Sequence, residues 1–217
     1  MGIPVMIIGE SGSGKTYSIK NMNPETVGIF LCEKNRLPFR KQFKTYKVRN
    51  MMSEDGKVIR QGQVIESILA NPKQKRYVID DSQYIMANEY FDRAREKGYD
   101  KYTDIGSNFR NLVHMVNNEL PDDVIVYFLH HPEVDVNTGR IKAKTIGRML
   151  DEKLTVEGLF DIVLRTQVDP EGHWFLTKTN GQDTVKTPEE MFDADRVPND
   201  LAAVDMAIRN YYEMEEN

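Results

Sequence analysis

Eight residues near the start of the chain have the types and spacing needed to hold a row of phosphates. The segment GESGSGKT, residues 9–16, fits the pattern G-x-x-x-x-G-K-[ST]. Its glycines let backbone N–H groups turn toward one point, Lys15 suits the β- and γ-phosphates, and the Thr16 hydroxyl suits Mg²⁺. We therefore predict a nucleotide-phosphate site. Its predicted ligands are Gly9, Glu10, Ser11, Gly12, Ser13, Gly14, Lys15, Thr16 and Tyr17.

Two adjacent carboxylates close another apolar stretch, RYVIDDSQ. We expect one of them to hold a water of the Mg²⁺ shell, and we favour Asp80 because it directly follows the apolar residues. Asp81 or Ser82 also suits the N-cap of a following helix. The predicted metal site therefore comprises Thr16, Asp80 and Asp81, and the predicted cofactors are ATP and Mg²⁺.

Polar residues also end two further apolar stretches. Glu33 follows VGIFLC, and the carboxyl ends of strands are where open α/β sheets bind ligands. We predict that Glu33 polarises the attacking water; the alternative is a solvated residue at the start of a loop. VIVYFLHH ends in His130 and His131, which point to opposite faces of a strand and do not suit a shared zinc ion. One of them, His130 in our assignment, is predicted to sense the terminal phosphate, and simple strand capping is the alternative.

Alternating apolar runs and amphipathic segments predict the elements that position these residues. The runs are continuous rather than alternating, as in parallel strands covered on both faces. We predict strands over 3–8, 27–32, 76–79 and 124–129, and helices over 14–22, 62–70, 82–97 and 103–119.

The pattern of polar and apolar residues changes in the second half of the chain. Residues 131–148 are polar and predict a long functional loop. FDIVLRTQVDPEGHWFLTKT predicts a hairpin that turns at residues 169–172, and VPNDLAAVDMAIRNYYE predicts a helix capped by Asn199 or Asp200. The fold class is thus α/β, with a mainly parallel sheet, helices on both faces and a late β-hairpin. We expect one domain over 1–217, with a core over 1–180 and a C-terminal segment and helix over 181–217.

Composition excludes several classes of protein. The formal charge of −5 does not fit a globally basic nucleic-acid binder, although local basic patches remain. A single cysteine, Cys32, excludes an internal disulfide and a cysteine-based zinc site, and it suits a reducing cytoplasm. With no export signal and no apolar stretch of membrane length, the chain is expected in the cytoplasm, with no membrane partner.

Several sequence segments together resemble those of a known family. VIDDSQYIM, VIVYFLHH and VPNDLAAVDMAIRNYY, with the phosphate motif and Glu33, resemble the compact RecA-like P-loop ATPases of phage genomes, some of which act in recombination and single-strand annealing. The resemblance covers most of the chain. It implies a RecA-like core that hydrolyses ATP as a ring or filament on single-stranded DNA, in a bacterial host's cytoplasm, with a single-strand binding protein as a further partner.

The resemblance also implies a basic residue supplied by a neighbouring subunit. WFLTKTNG follows the predicted hairpin, where RecA-like helicases and related ATPases carry a Lys-x-Arg-x-Gly finger. Lys178 matches the lysine and is assigned as catalytic. Asn180 stands where the arginine is expected, so Arg140 and Arg148 are alternatives for the finger.

Two basic segments are predicted DNA contacts. KNRLPFRKQFKTYKVRN interleaves basic residues with Phe39, Phe43 and Tyr46, which suits a phosphate backbone and stacked bases. TGRIKAKTIGR lies in the predicted loop. The alternative is that both segments are solvated faces and that Phe39 and Phe43 belong to the core. The predicted contacts are Arg40, Lys41, Lys44, Arg140, Lys142, Lys144 and Arg148.

Three other functions remain open. A small-molecule kinase would use residues 140–148 as a lid over the phosphates. A GTP-dependent switch fits less well, because the nearest guanine-binding pattern, NGQD at 180–183, lacks its lysine. An ATP-dependent module for a protein partner would keep the phosphate site and replace the DNA.

Overall fold

An eight-stranded, mostly parallel sheet forms the centre of the computed structural model, which describes residues 1–34, 36–146 and 154–214. The strand order is β12-β11-β10-β1-β7-β6-β2-β3, with β11 antiparallel to its two neighbours. The strands of this sheet are β1 Ile3–Ile8, β2 Val27–Leu31, β3 Lys44–Lys47, β6 Arg76–Asp80, β7 Ile125–His130, β10 Ile162–Asp169, β11 Gly172–Leu176 and β12 Arg196–Pro198.

Two small hairpins and four α-helices complete the described fold. The hairpins pair β4 Met51–Met52 with β5 Val58–Ile59, and β8 Pro132–Val134 with β9 Ile141–Ala143. The α-helices are α1 Gln61–Leu69, α2 Gln83–Asp92, α3 Asp100–Glu119 and α4 Leu201–Tyr211, and short 3-10 helices cover Tyr17–Asn21 and Val156–Leu159.

Helices cover both faces of the sheet because successive side chains of each strand enter different cores. Met6 and Ile8 of β1 pack in the core that α1, α2 and α3 close. Val5 and Ile7 pack in the other core, with α4 and the first 3-10 helix. Burial on both faces explains the continuous apolar runs. The predicted α/β class, the mainly parallel sheet, the helices on both faces and the late β10–β11 hairpin are confirmed.

Four strands bring their carboxyl ends to one edge of the sheet. Ile8 pairs with His130 across β1 and β7, and Leu31 pairs with Asp80 across β2 and β6. The segments that follow these strands therefore meet at this edge, which we call the site edge.

The predicted helix over 14–22 is wrong in type. Only Tyr17–Asn21 is helical, and it is a 3-10 helix. The Ser18 hydroxyl donates to the Lys15 carbonyl at 2.6 Å, a local bond that competes with α-helical pairing. Pro24 then restricts Asn23 to extended backbone. The segment therefore forms a short 3-10 helix instead of an α-helix before β2.

The predicted loop over 131–148 contains the β8–β9 hairpin. The Asp135 side chain accepts bonds from the backbone N–H groups of Asn137 and Thr138, which closes the turn between the two strands. Lys142 and Glu133 face each other across the pair at 3.1 Å. We call residues 131–146 the arm, and the last two residues of the predicted loop lie outside the described residues.

The C-terminal helix α4 is fixed by its cap and by a buried ion cluster. Asp200 is the N-cap, and its side chain accepts from the Ala202 N–H at 3.0 Å, as predicted. Asp205 receives bonds from Arg76 at 2.6 Å, Arg209 at 3.0 Å and the Tyr127 hydroxyl at 2.8 Å. These contacts tie α4 to β6 and β7. Across the described part of the chain, none of the helices combines the length and apolar character that a bilayer crossing needs.

Candidate functional site

The loop formed by residues 9–16 folds tightly against the site edge. A methyl group on Gly9 would lie 1.8 Å from the Thr166 hydroxyl, so only glycine fits there. Gly12 and Gly14 have φ of +80° and +101°, which glycine adopts without strain. The Thr166 hydroxyl donates to the Ser13 hydroxyl at 2.7 Å and holds the loop on β10.

The Lys15 side chain folds back onto its own loop. Its Nζ donates to the carbonyls of Gly9 at 2.5 Å and Glu10 at 2.9 Å. Burial lowers the pKa of Lys15 to about 8, because the charged form loses hydration, and Asp81 partly offsets this effect. The ammonium is therefore bonded to two carbonyls of the loop, and an anion would replace them.

Thr16 and Asp80 meet although 64 residues separate them in the chain. The Thr16 hydroxyl donates to Asp80 Oδ1 at 2.8 Å, and both side chains are buried. Burial, followed by the neighbouring Asp81 charge, raises the pKa of Asp80 above its ordinary value. An oxygen pair of this kind suits Mg²⁺, which commonly takes one or two protein oxygens and completes its shell with phosphate and water. Among the described residues, no three His, Cys, Asp or Glu side chains gather around one point.

Asp81 turns away from this pair. Its backbone is left-handed, with φ of +60°, a conformation that Asp tolerates better than most residues. Its carboxylate bonds Lys34 at 3.0 Å and His131 at 3.2 Å. Burial raises its pKa, but the bonds from His131 and Lys34 outweigh burial and leave the pKa below its ordinary value. Ser82, the other predicted cap, makes no side-chain cap bond to α2.

Glu33 lies at the site edge with an exposed side chain. The Arg49 guanidinium fixes the backbone at this point by donating to the carbonyls of Leu31, Cys32 and Glu33 at 2.8–2.9 Å. The chain is thereby fixed as it leaves β2, while the Glu33 carboxylate remains open to solvent. This placement suits a group that acts on water.

His130 is fully buried and links β7 to the arm. Its Nε2 donates to the Lys144 carbonyl at 2.8 Å, so Nδ1 accepts from the Ser82 hydroxyl at 2.9 Å. Its ring also lies against Phe109. His131 bonds Asp81 instead, so the two histidines have different partners, as expected of neighbours on a strand. His130 thus contacts the arm rather than any side chain of the 9–16 loop.

The burial of His130 predicts acid lability. Burial lowers its pKa to about 4, and the nearby His131 acts in the same direction, while the bond to Lys144 opposes them. The unfolded chain, with a pKa of about 6.5, therefore takes up the proton first. Stability from neutral His130 is complete above that pH and decreases as pH falls toward 4, by up to about 3 kcal/mol. We expect the stability gap between wild type and His130→Asn, measured by urea unfolding, to shrink over this range. A gap independent of pH would contradict the buried neutral state, and His114→Asn serves as the control.

The predicted DNA contacts are partly engaged within the chain. Arg140 donates to the Asp183 carbonyl at 2.8 Å, and Lys142 pairs with Glu133. Lys41 donates to the Met22 carbonyl at 2.7 Å. Arg40, Lys44 and Lys144 are exposed, and Arg148 lies outside the described residues.

The aromatic residues of the first basic segment pack inward. The rings of Phe39 and Phe43 lie 5.7 Å apart and border the core beneath α4. Tyr46 stacks on Phe30 at 5.2 Å. These contacts agree with the alternative that the rings belong to the core rather than to a stacking surface.

Lys178 lies on the far side of the hairpin from the 9–16 loop. Leu176 of β11 pairs with Arg165 of β10, which in turn pairs with Ile8 at the end of β1. Because β11 runs antiparallel to β1, the chain after Leu176 leads away from the site edge, and Lys178 lies in that direction. It pairs with Asp195 at 3.2 Å. Within one chain it does not reach the loop, so a catalytic role for Lys178 requires a second subunit.

Three residues near the loop were not predicted as site residues. Lys34 bonds Asp81, as described above. His173 Nδ1 donates to the Ser13 carbonyl at 3.1 Å, and Asn199 Oδ1 lies 3.1 Å from where a Gly14 Cβ would stand. Both reach the loop through the tertiary fold, from β11 and from the turn before α4, and no local motif marks them.

A separate cleft of about 840 Å³ opens at the opposite edge of the sheet. Gly2, Lys75, Asp123 and Tyr212 line part of it. None of the predicted site residues contributes to its walls, so it is distinct from the site edge.

Comparisons with known proteins add no family. Neither the models of protein families nor the curated proteins contain a match to this chain.

Proposed function

We propose that this chain is a RecA-like ATPase that binds Mg-ATP in the 9–16 loop and hydrolyses it. The observation that carries the proposal is the 2.8 Å bond between Thr16 and Asp80, beside an ammonium held in the loop. The phosphate motif by itself supplies only the loop, Lys15 and Thr16. Here a distant carboxylate from β6 completes the oxygen set that Mg-phosphate binding needs.

Each residue has a distinct role in this proposal. Lys15 exchanges its two loop carbonyls for phosphate oxygens and offsets their charge. Thr16 and Asp80 hold Mg²⁺, which neutralises the phosphates when bound. Glu33, at the end of β2 and open to solvent, orients the water that attacks the terminal phosphate.

Glu33→Gln is expected to separate binding from hydrolysis. The amide keeps the size of the side chain and removes the charge that orients water, so ATP affinity should change little while turnover falls about 10²- to 10⁴-fold. Phosphate release measures turnover, and calorimetry with Mg-ATP measures affinity. Glu54→Gln, on the β4–β5 hairpin, is the matched control. Equal turnover in wild type and Glu33→Gln would remove Glu33 from the mechanism, and transfer of label to an acceptor would indicate a kinase.

We propose single-stranded DNA as the partner, contacted by an oligomer of this chain. What supports the arm as a contact is its attachment to the site edge: the Lys144 carbonyl accepts from His130, and the Lys144 N–H donates to the His131 carbonyl at 2.9 Å. The Lys144 side chain is exposed. A bound strand could thus be sensed at the end of β7. In the oligomer, Lys178 of one subunit is proposed to act on the nucleotide of the next.

Lys144→Gln is expected to weaken single-stranded DNA binding in a salt-dependent way. Removing one phosphate contact should lower the slope of log K against log salt by about 0.7. Titration of a fluorescent oligonucleotide at several salt concentrations measures this slope. Lys97→Gln, an exposed lysine between α2 and α3, should leave it unchanged. An unchanged slope in Lys144→Gln would exclude the arm as the contact.

A further inference from the structure

We propose that Lys34 is a second phosphate-binding lysine of this site, one that selects nucleoside triphosphates over diphosphates. This inference rests on the proposed function, because it assigns a ligand to the terminal phosphate of a nucleotide in the 9–16 loop. Lys34 would leave Asp81 and bond the terminal phosphate when a triphosphate enters.

Strand order places Lys34 at the terminal-phosphate end of the site. The metal pair, Thr16 and Asp80, lies on the β6 side of the 9–16 loop, and β2 is the next strand beyond β6. A triphosphate whose Mg²⁺ is held by Thr16 and Asp80 would place its last phosphates toward β6 and β2. Lys34 follows β2, and its Nζ lies 3.0 Å from Asp81 Oδ2. The residue next to Asp81 is Asp80 itself.

Lys34 is held by fewer contacts than Lys15 and is more exposed. The Lys34 side chain is 51% exposed, and Lys15 is 5% exposed and bonded to two carbonyls. Burial lowers the pKa of Lys34, but the bond to Asp81 more than compensates, so Lys34 is charged at neutral pH. A charged, half-exposed ammonium can turn toward an incoming anion at small cost in desolvation.

Asp81 keeps a hydrogen-bond partner when Lys34 leaves it. His131 donates to its other oxygen, Oδ1, at 3.2 Å. A buried carboxylate with no partner would be strongly unfavourable, and the histidine prevents that state. The ion pair therefore holds Lys34 in place in the empty site and permits its exchange for phosphate.

Calorimetry with two nucleotides tests this role. Wild type, Lys34→Met and the control Lys47→Met are titrated with ADP and with the non-hydrolysable triphosphate adenylyl imidodiphosphate, each with Mg²⁺. Methionine keeps the length of the side chain and removes the charge. A lost charged hydrogen bond should weaken triphosphate binding by Lys34→Met about 10-fold or more, while ADP binding stays within about twofold. Lys47→Met should match wild type for both ligands.

A double variant separates a phosphate ligand from a residue that only neutralises Asp81. If neutralisation is the whole role, Lys34→Met combined with Asp81→Asn regains triphosphate affinity, and this result would overturn the inference. If Lys34 binds phosphate, the double variant stays weak. Equal loss for both nucleotides, or no loss, in Lys34→Met would also overturn it. A wild type that binds neither nucleotide would instead refute the proposed function itself.

Discussion

Asp205→Ala is expected to lower the free energy of unfolding by about 3–5 kcal/mol, because it leaves buried arginine charge unpaired. Asp205 is 3% exposed and lies between Arg76 and Arg209, with the Tyr127 hydroxyl on its second oxygen. Arg209 is itself 2% exposed. Removing the carboxylate takes away the acceptor that both arginines and the tyrosine share, and with it this polar link from α4 to β6 and β7.

Chemical denaturation measures this effect, with a matched aspartate as control. Asp195 pairs with Lys178 at the surface, where its side chain is 79% exposed, so Asp195→Ala should change stability by at most about 1 kcal/mol. Similar denaturation midpoints for Asp205→Ala and Asp195→Ala would show that the cluster does not stabilise α4. Replacing Asp205 and Arg209 together by leucine should recover part of the loss, since the more buried of the two arginine charges is then removed with its carboxylate partner.

Lys15→Ala is expected to reduce ATP affinity at least about 100-fold, since charged bonds to two phosphates are lost together. The fold should survive, because Lys15 is bonded only to carbonyls of its own loop and burial of its charge is unfavourable to the folded state. The variant thus separates ligand binding from stability. Calorimetry with Mg-ATP measures the first, and thermal unfolding of the ligand-free protein measures the second.

Lys20→Ala controls for the loss of a positive charge near the loop. Lys20 lies in the 3-10 helix after the loop, where its Nζ bonds the Tyr17 hydroxyl at the surface. We expect it to bind ATP like wild type. Equal affinity of Lys15→Ala and wild type would show that the loop around Lys15 does not hold phosphate.

The sequence predicts the centre of this fold well, for a physical reason. Strands covered on both faces must be apolar throughout, so β1, β2, β6 and β7 were located to within one residue at each end. The residue types at their carboxyl ends then gave the site edge. The capping aspartate of α4 followed from a local bond that needs no tertiary information.

Sequence reasoning missed elements that depend on partners distant in the chain, and also a local hairpin with very short strands. β3, Lys44–Lys47, is an edge strand with a polar sequence, and only its pairing with β2 makes it a strand. The β8–β9 hairpin had a turn signal in Asn137-Thr138-Gly139, but its strands of 3 residues each are too short to show a strand pattern. Lys34 reaches Asp81 because β2 and β6 are neighbours, a fact about strand order that spacing along the chain does not encode.

Titration of the wild-type protein with ATP, in Mg²⁺ and again in excess EDTA, tests most directly whether residues 9–16 and Asp80 form a Mg-nucleotide site. We predict saturable binding of one ATP per chain in Mg²⁺, with clearly weaker binding in EDTA, because Thr16 and Asp80 reach the phosphates through the metal. Absence of saturable binding in both conditions, or equal affinity in both, would contradict the account.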